Sequence, residues 1–411
     1  MQLLKMKLNK EVLFLILIFA FAFFVRFYNF SDRVTFWSEQ ARSLVVSSGY
    51  LTKPSLLGQE YFRYDSLGHV VFAGAQFNYL LVPLILLTKG DPISVTVFFA
   101  LLNLFTGYAI YWVSKKIFNK KIAVFSTILF LFSNYMVYHS LFLWIYNPLP
   151  LVGILILYSL YRGKAFWSGF LSGIGVGLQI MFIPTGLLVF IAATVKSKKK
   201  VKDLFLFIFG ALLGNLPMVL FDLKHKFYET TTLFRFFIDT LKGNSDAGFS
   251  YYYLFALWPV FAILGGLFLF WLWRKSKAIA VIVIVLYIFL NLSSKMLSWN
   301  SPTGMPQGMN TRDVDYASSV IAEDAKGDFN VAEVLDFDKR AYVLRYFVQY
   351  KYGKKPLGDI EYKNINLLYM LAQKDYNFGT SDVWEINAGG PYKISFLKDV
   401  GTGYAIYKLQ K

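Results

Sequence analysis

The chain has no cysteine. Disulfides, thiol nucleophiles and cysteine-based zinc sites are therefore excluded. Histidine is nearly as scarce: His69, His139 and His225 are the only three. They lie far apart in sequence, so a divalent metal stays open only if folding gathers them. No other cofactor is implied. Charge is also thin, 16% of 411 residues, and acids are fewer than bases, 25 against 42, for a net +17. A basic balance fits nucleic-acid binding or the cytoplasmic loops of a membrane protein. The Lys/Arg clusters fall in short gaps between apolar blocks, so the second reading holds and no nucleic-acid partner is expected.

What the chain has in excess is apolar surface, 56% of residues, against about 45–50% in soluble domains. It comes in blocks of about 15–25 residues, the spacing a bilayer imposes on helices. Lys5, Lys7 and Lys10 precede the first block, Val12–Tyr28, and place the N-terminus in the cytoplasm. No small-residue cleavage site follows it, so this block reads as a retained span. The remaining blocks are Ile93–Val113, Ile122–Tyr138, Pro148–Tyr161, Phe166–Met181, Ile183–Val195, Leu204–Phe221, Tyr251–Trp273 and Ala278–Leu297. About nine spans result. Every inner gap is Lys/Arg-rich, and the long loops, 29–92 and 222–250, fall outside. The apolar piece Gln76–Leu87 is short for a crossing and reads as an interfacial helix. Gly169, Gly173, Gly175 and Gly177 have the spacing that lets membrane helices approach closely.

After Leu297 the composition changes. A Ser/Pro/Gly/Met linker, 298–308, leads to alternating helical and strand-like patterns. Helices are expected at Asp315–Ala325 and Arg340–Tyr352, with Tyr342, Leu344, Tyr346 and Phe347 inward. Strands are expected at Asn330–Leu335, Leu367–Leu371, Lys393–Leu397 and Tyr404–Leu409. The expected architecture is an all-α polytopic membrane domain, residues 1–297, and a small α/β extracytoplasmic domain, residues 298–411.

Ionisable residues at membrane depth are expensive and serve as functional candidates. Here they collect at the outer face. Arg26 ends the first span, and Glu39, Gln40 and Arg42 follow it. Asp65 and His69 come next. His139 and Asn147 flank the Trp144–Pro148 corner, and Asp222, Lys224, His225 and Lys226 open the second outer loop. Singly, each has an ordinary structural use: a carboxylate at a helix start, a snorkelling lysine, a belt tryptophan. Together, one carboxylate able to deprotonate a hydroxyl faces a basic cluster able to neutralise a phosphate at a lipid interface. That set of parts suits group transfer from a lipid phosphate.

The pattern resembles the multi-spanning glycosyltransferases of the GT-C fold, in the branch of protein O-mannosyltransferases and the lipid A aminoarabinose transferase, and within it the bacterial and archaeal relatives. Glu39-Gln40-Ala41-Arg42 matches an outer motif of the type Asp-Gln-Ala-Arg. Phe72–Leu81 matches a segment of the type Phe-His-Gly-Pro-Leu-Tyr-Tyr-Tyr-Leu-Leu. Trp144–Pro148 is similar to a Trp-Asn-Pro corner, Phe221–His225 to Phe-Asp-Leu-Arg-His, and Arg345-Tyr346-Phe347 to an Arg-Tyr-Phe tail. The resemblance implies a polyprenyl-phosphate-linked sugar as donor, with Glu39 as base. It implies Arg26, Lys224, His225 and Lys226 on the departing phosphate, Asp222 orienting their loop, and the prenyl chain in grooves between spans. The acceptor stays open between protein, lipid and glycan. Two departures matter. Glu replaces the usual Asp, and Ala73 and Ala75 stand where the family has His and Pro, with His69 a possible stand-in. A non-catalytic binder of a polyprenyl glycan, and a lipid-linked sugar transporter, stay open as alternatives.

Overall fold

The structure, a computed structural model, describes residues 10–63, 69–195, 199–243, 250–336, 338–363, 365–401 and 403–411. Asp65 lies outside the described residues. Helix α1 (Lys10–Phe27) is followed by a single turn, α2 (Phe30–Arg33), and by α3 (Ser38–Gly49). Strands β1 (Leu57–Arg63) and β2 (Val70–Gly74) form an antiparallel hairpin ahead of α4 (Gln76–Thr88) and α5 (Pro92–Ile117). Then come α6 (Lys120–Leu131), α7 (Asn134–His139), α8 (Leu149–Tyr161), α9 (Ala165–Leu178) and α10 (Ile183–Val195). The helical part closes with α11 (Lys200–Gly214), α12 (Leu216–Lys224), α13 (Tyr228–Leu241), α14 (Trp258–Lys275) and α15 (Lys277–Leu292). The remainder is α16 (Thr311–Asp324), β3 (Asn330–Glu333), α17 (Tyr342–Tyr346), β4 (Leu367–Gln373), α18 (Trp384–Asn387), β5 (Lys393–Val400) and β6 (Tyr404–Gln410).

Apolar helices make this a membrane protein, but the count of about nine simple spans is not what the described residues show. Two stretches are long and apolar enough to cross a bilayer alone: Pro92–Ile117 and Tyr251–Lys275. A third joins α11 and α12 across an 81° bend. Pro217, in the first turn of α12, lacks the N–H that would continue the ladder of α11. The expected span Ile122–Tyr138 breaks at Phe132–Ser133 into α6 and α7. Helices such as α8 and α9 have 13 and 14 residues, about 20 Å of rise against a core of about 30 Å. The longest helix shows why it starts and stops where it does. Asp91 caps α5 by accepting from Ser94 N, Pro92 occupies its first turn, and Lys115 and Lys116 face the negative end of its dipole.

The glycine spacing does what packing physics asks of it. A Cβ on Gly173 would stand 2.1 Å from Ala211 O, and one on Gly214 2.0 Å from Phe170 O, so α9 and α11 touch backbone to backbone. Gly173→Leu is therefore expected to lose about 1–3 kcal/mol of stability through overpacking. Thermal unfolding of the detergent-purified variant checks this, and an unchanged Tm would contradict the close approach.

The outer segment expected as loop and amphipathic helix also contains the β1–β2 hairpin, so the helical part is not all-α. Its strands are short, and Leu57–Arg63 includes Gly58, Gln59 and Glu60 with no β-branched residue, a pattern that gives no strand signal. The 222–250 loop likewise carries α13. At the C-terminus a four-stranded mixed sheet has the order β3-β4-β6-β5, with β3 parallel to β4 and the other pairs antiparallel. Arg345 is buried inside this unit and donates to the carbonyls of Arg340 and Leu357, to Asn330 Oδ1 and to the Tyr362 hydroxyl.

The sheet unit is clamped to the start of α3. Phe36 packs edge-on against Tyr346 and Phe347 at 5.5 Å from each. Thr311 Oγ1 donates to Val34 O, and Trp37 Nε1 and Ser38 Oγ both donate to Asp336 Oδ2. The segment after α15 is pinned too. Arg33 Nε reaches Ser298 O, and Thr35 Oγ1 donates to Thr303 O.

Candidate active site

Glu39 sits in the first turn of α3, where a negative charge meets the positive end of the helix dipole. Gln40 fixes that turn: its Oε1 accepts from the backbone N–H of Trp37, 3.2 Å away. One face of Glu39 meets Trp144, whose indole N–H donates to Oε2 at 2.9 Å. The exposed surface of Glu39 is shared by two recesses. Partial desolvation in their common wall pushes its pKa up, opposed by the Trp144 hydrogen bond and by Arg42.

The indole is held by rings and by the loop beneath it. It stacks on His139 at 5.2 Å and meets the edges of Tyr146 at 4.4 Å and Tyr252 at 5.1 Å. His139 is buried, its Nδ1 lies 2.7 Å from Tyr135 O, and burial pulls its pKa down to about 4. The ring is thus neutral near pH 7, with Nδ1–H as donor. Asn147 Nδ2 donates to the carbonyls of His139 and Phe142 and ties this corner together without lining either recess. Removing the indole N–H isolates its effect. Trp144→Phe is expected to raise the Glu39 pKa further and to lower turnover about tenfold or more, with the acid limb of the pH–rate profile moved up. An unmoved limb would separate Trp144 from Glu39.

On one side of Glu39 lies a cavity of about 590 Å³, walled by Trp37, Tyr138, Phe142, Trp144, Tyr251 and Tyr252 and closed by Asp336. On the other lies one of about 520 Å³, lined by Arg42, Glu60, Tyr61, Lys339, Arg340 and Tyr342 among others. Both fall in the size range of small-molecule sites, about 300–1,000 Å³. Arg42 is one helical turn from Glu39. It lies 3.8 Å from Glu60 and over the ring of Tyr342.

Asp336 had no signal in the sequence, yet it organises the approach to Glu39. Burial alone would raise its pKa, but hydrogen bonds from Glu333, the Asp338 N–H, Ser38 and Trp37 bring it below the ordinary range. Glu333 goes the other way: burial and its neighbour Asp336 hold it protonated. Asp336 is therefore the ionised member of the pair, and its Oδ2 accepts from both Trp37 and Ser38 while Oδ1 accepts from the Asp338 N–H.

The other expected site residues are dispersed. Arg26 is no part of either recess. Its guanidinium is fully buried among α1, α5 and α6, donating to Asn103 Oδ1 and to the carbonyls of Ala22 and Leu131, which leaves it none of the access a phosphate needs. Asp222 caps α13, accepting from the N–H groups of Glu229 and Thr230 at 2.8 and 3.1 Å. Lys224, His225 and Lys226 are exposed on the turn before α13, with His225 stacked on Phe221 at 4.2 Å, and none of them lines the two recesses. His69 begins β2's approach to Tyr228, ring centroids 6.3 Å apart. The hairpin is what joins this basic turn to Glu39. Phe72 N donates to Glu229 Oε1, Phe72 pairs with Glu60, and Glu60 faces Arg42. Among the described residues no three metal-ligating side chains converge, and the three histidines occupy separate places.

No protein-family model matches the chain, and no curated protein matches it in sequence. Solved structures do match. ArnT from Cupriavidus metallidurans in the apo state aligns over 97% of this chain and 98% of its own, at 11% identity and a TM-score of 0.56. The same protein bound to undecaprenyl phosphate aligns over 96% and 98%, at 11% identity and 0.55. The archaeal oligosaccharyltransferase AglB from Archaeoglobus fulgidus, in complex with an inhibitory peptide and a dolichol-phosphate, aligns over 90% of this chain and 70% of its own, at 8% identity and 0.52. The chain has the GT-C fold that these proteins share.

Proposed function

We propose that this protein is a membrane glycosyltransferase that moves a sugar from a polyprenyl-phosphate donor to a hydroxyl at the outer membrane face, with inversion at the anomeric carbon. In this reading residues 1–297 form the membrane part, and residues 298–411 form an extracytoplasmic unit that closes over the site. The observation that carries it is Glu39 in the wall between two recesses of unlike chemistry. The likeness to ArnT and AglB, whose structures hold undecaprenyl phosphate and dolichol-phosphate, supports the donor class.

Glu39 takes the acceptor hydroxyl proton on its free oxygen while Trp144 holds the other. The acceptor oxygen bonds to the anomeric carbon as the bond to the phosphate oxygen breaks. The electron pair leaves with the polyprenyl phosphate. Arg42, Lys339 and Arg340 line the second recess, beside Glu60, Asp338 and Glu385, and are the groups there that can neutralise that developing charge. Lys224, His225 and Lys226 are assigned to the approach of the lipid phosphate, across the hairpin from Glu60. Glu39 works as a base only when ionised, and its pKa is raised. Turnover is therefore expected to fall as pH drops through a value above the usual carboxylate range.

The test is transfer by the purified full-length protein, reconstituted with synthetic polyprenyl-phosphate sugars and mixed hydroxyl acceptors. A product of opposite anomeric configuration to the donor is expected. Binding of the donor without transfer to any acceptor would favour a non-catalytic binder, and movement of the intact lipid-linked sugar across the membrane would favour a transporter.

A further inference from the structure

The two recesses beside Glu39 differ in charge, and this bears on the acceptor. The second recess sets Arg42, Lys339 and Arg340 among the acids Glu39, Glu60, Asp338 and Glu385, so an anion entering it finds counter-charges. The aromatic recess contains no Lys or Arg among its described lining residues, and its ionisable acids are Glu39 and Asp336. Asp336 is held ionised by the donors around it, Trp37 Nε1 and Ser38 Oγ included. An anion entering this recess would meet two carboxylates and no counter-charge, a repulsion that rises as water is expelled.

The walls ask for something else. Trp144 and Tyr252 meet at 70° and 5.1 Å, and Tyr251 and Tyr252 at 76° and 5.7 Å, so faces and edges turn in different directions around one space. Rings set this way receive a flat, weakly polar C–H face while leaving a hydrogen-bonding rim free. Carboxylate oxygens at that rim accept from hydroxyls. A pyranose ring has one apolar face and a rim of O–H donors.

We infer that the aromatic recess is the acceptor subsite and takes an uncharged sugar ring, so that the acceptor is a neutral glycan rather than a phosphorylated lipid, an acidic glycan or a peptide. The inference rests on the transferase reading of Glu39 and adds the chemical class of the acceptor. One hydroxyl of that ring points at Glu39 and gives up its proton there. The others are satisfied at the rim that includes Asp336.

A glycan and peptide array probed with the detergent-solubilised full-length protein tests this. The array carries neutral glycans, their phosphorylated, sulfated and sialylated counterparts, and Ser/Thr peptides. Hits confined to neutral glycans are expected, with at least tenfold weaker binding to the charged counterparts. Tyr252→Ala is expected to lower binding of the best glycan at least tenfold. Tyr252→Phe, which keeps the ring, should restore it and so exclude misfolding as the cause. Preference for charged glycans or for peptides, or no binding to any member, overturns the inference. The transferase reading fails separately: neutral glycans that bind but never receive sugar from a polyprenyl donor would end it and leave the subsite standing. Transfer only to a peptide or a phosphorylated lipid would do the reverse.

Discussion

Glu39→Gln is expected to abolish sugar transfer, lowering turnover by about 10²–10⁴-fold, the range that general-base catalysis supplies. The substitution is nearly isosteric. Gln can still accept from Trp144 Nε1, so the indole, His139 and the aromatic wall stay in place. What disappears is the ability to take a proton. Donor binding should persist, because the cations of the second recess are untouched. The measurement is single-turnover transfer from a polyprenyl-phosphate sugar together with donor affinity. Glu39→Asp separates geometry from charge: it restores the base but draws it back by one methylene, and misplacement of about 1 Å is worth about a hundredfold. Wild-type turnover in Glu39→Gln would remove this residue from the chemistry.

Arg345→Leu is expected to be the most destabilising change in the C-terminal unit, by about 1–3 kcal/mol for each buried carbonyl that loses its donor. The guanidinium is the common partner of Arg340 O, Leu357 O, Asn330 Oδ1 and the Tyr362 hydroxyl, at distances of 2.7, 2.6, 2.5 and 2.9 Å. Leu fills much of the volume but takes away the side-chain donor to the carbonyls of Arg340 and Leu357, while Asn330 Oδ1 and the Tyr362 hydroxyl keep their bonds to Val331. The consequence reaches the site, because Arg340 and the segment from Asp336 onward line the two recesses. Limited proteolysis should cut this segment in the variant and spare it in the wild type, and transfer should fall with it. Equal resistance in both would show that the sheet unit does not depend on this network.

Parts of the fold were legible because they rest on local rules. The strand expected at Tyr404–Leu409 is β6, since alternation has a two-residue period that no helix reproduces. The helix expected at Asp315–Ala325 is α16, which begins four residues earlier because Asn310 and Asp313 form a capping box that apolar periodicity does not register. The span count of about nine was not confirmed, for a different reason. Hydropathy measures the length of an apolar block, whereas Pro217 and the break at Phe132–Ser133 decide whether it runs straight. Arg26 was misplaced because its position at a helix end says nothing about which way the side chain turns. Here the Ala22 and Leu131 carbonyls and the Asn103 side chain, inside the bundle, draw it inward.

By itself the sequence determined that the chain is a membrane protein, that thiol chemistry is absent, and that a carboxylate at position 39 opens a helix. These follow from composition and short-range periodicity. Only the tertiary structure decided what surrounds that carboxylate. Trp144, Asp336 and Tyr252 come from three distant segments, and Asp336 reaches α3 because the sheet unit packs on it through Phe36. Contacts between residues a hundred or more positions apart leave no local pattern, because they are selected by the packing of whole elements rather than by their neighbours in the chain.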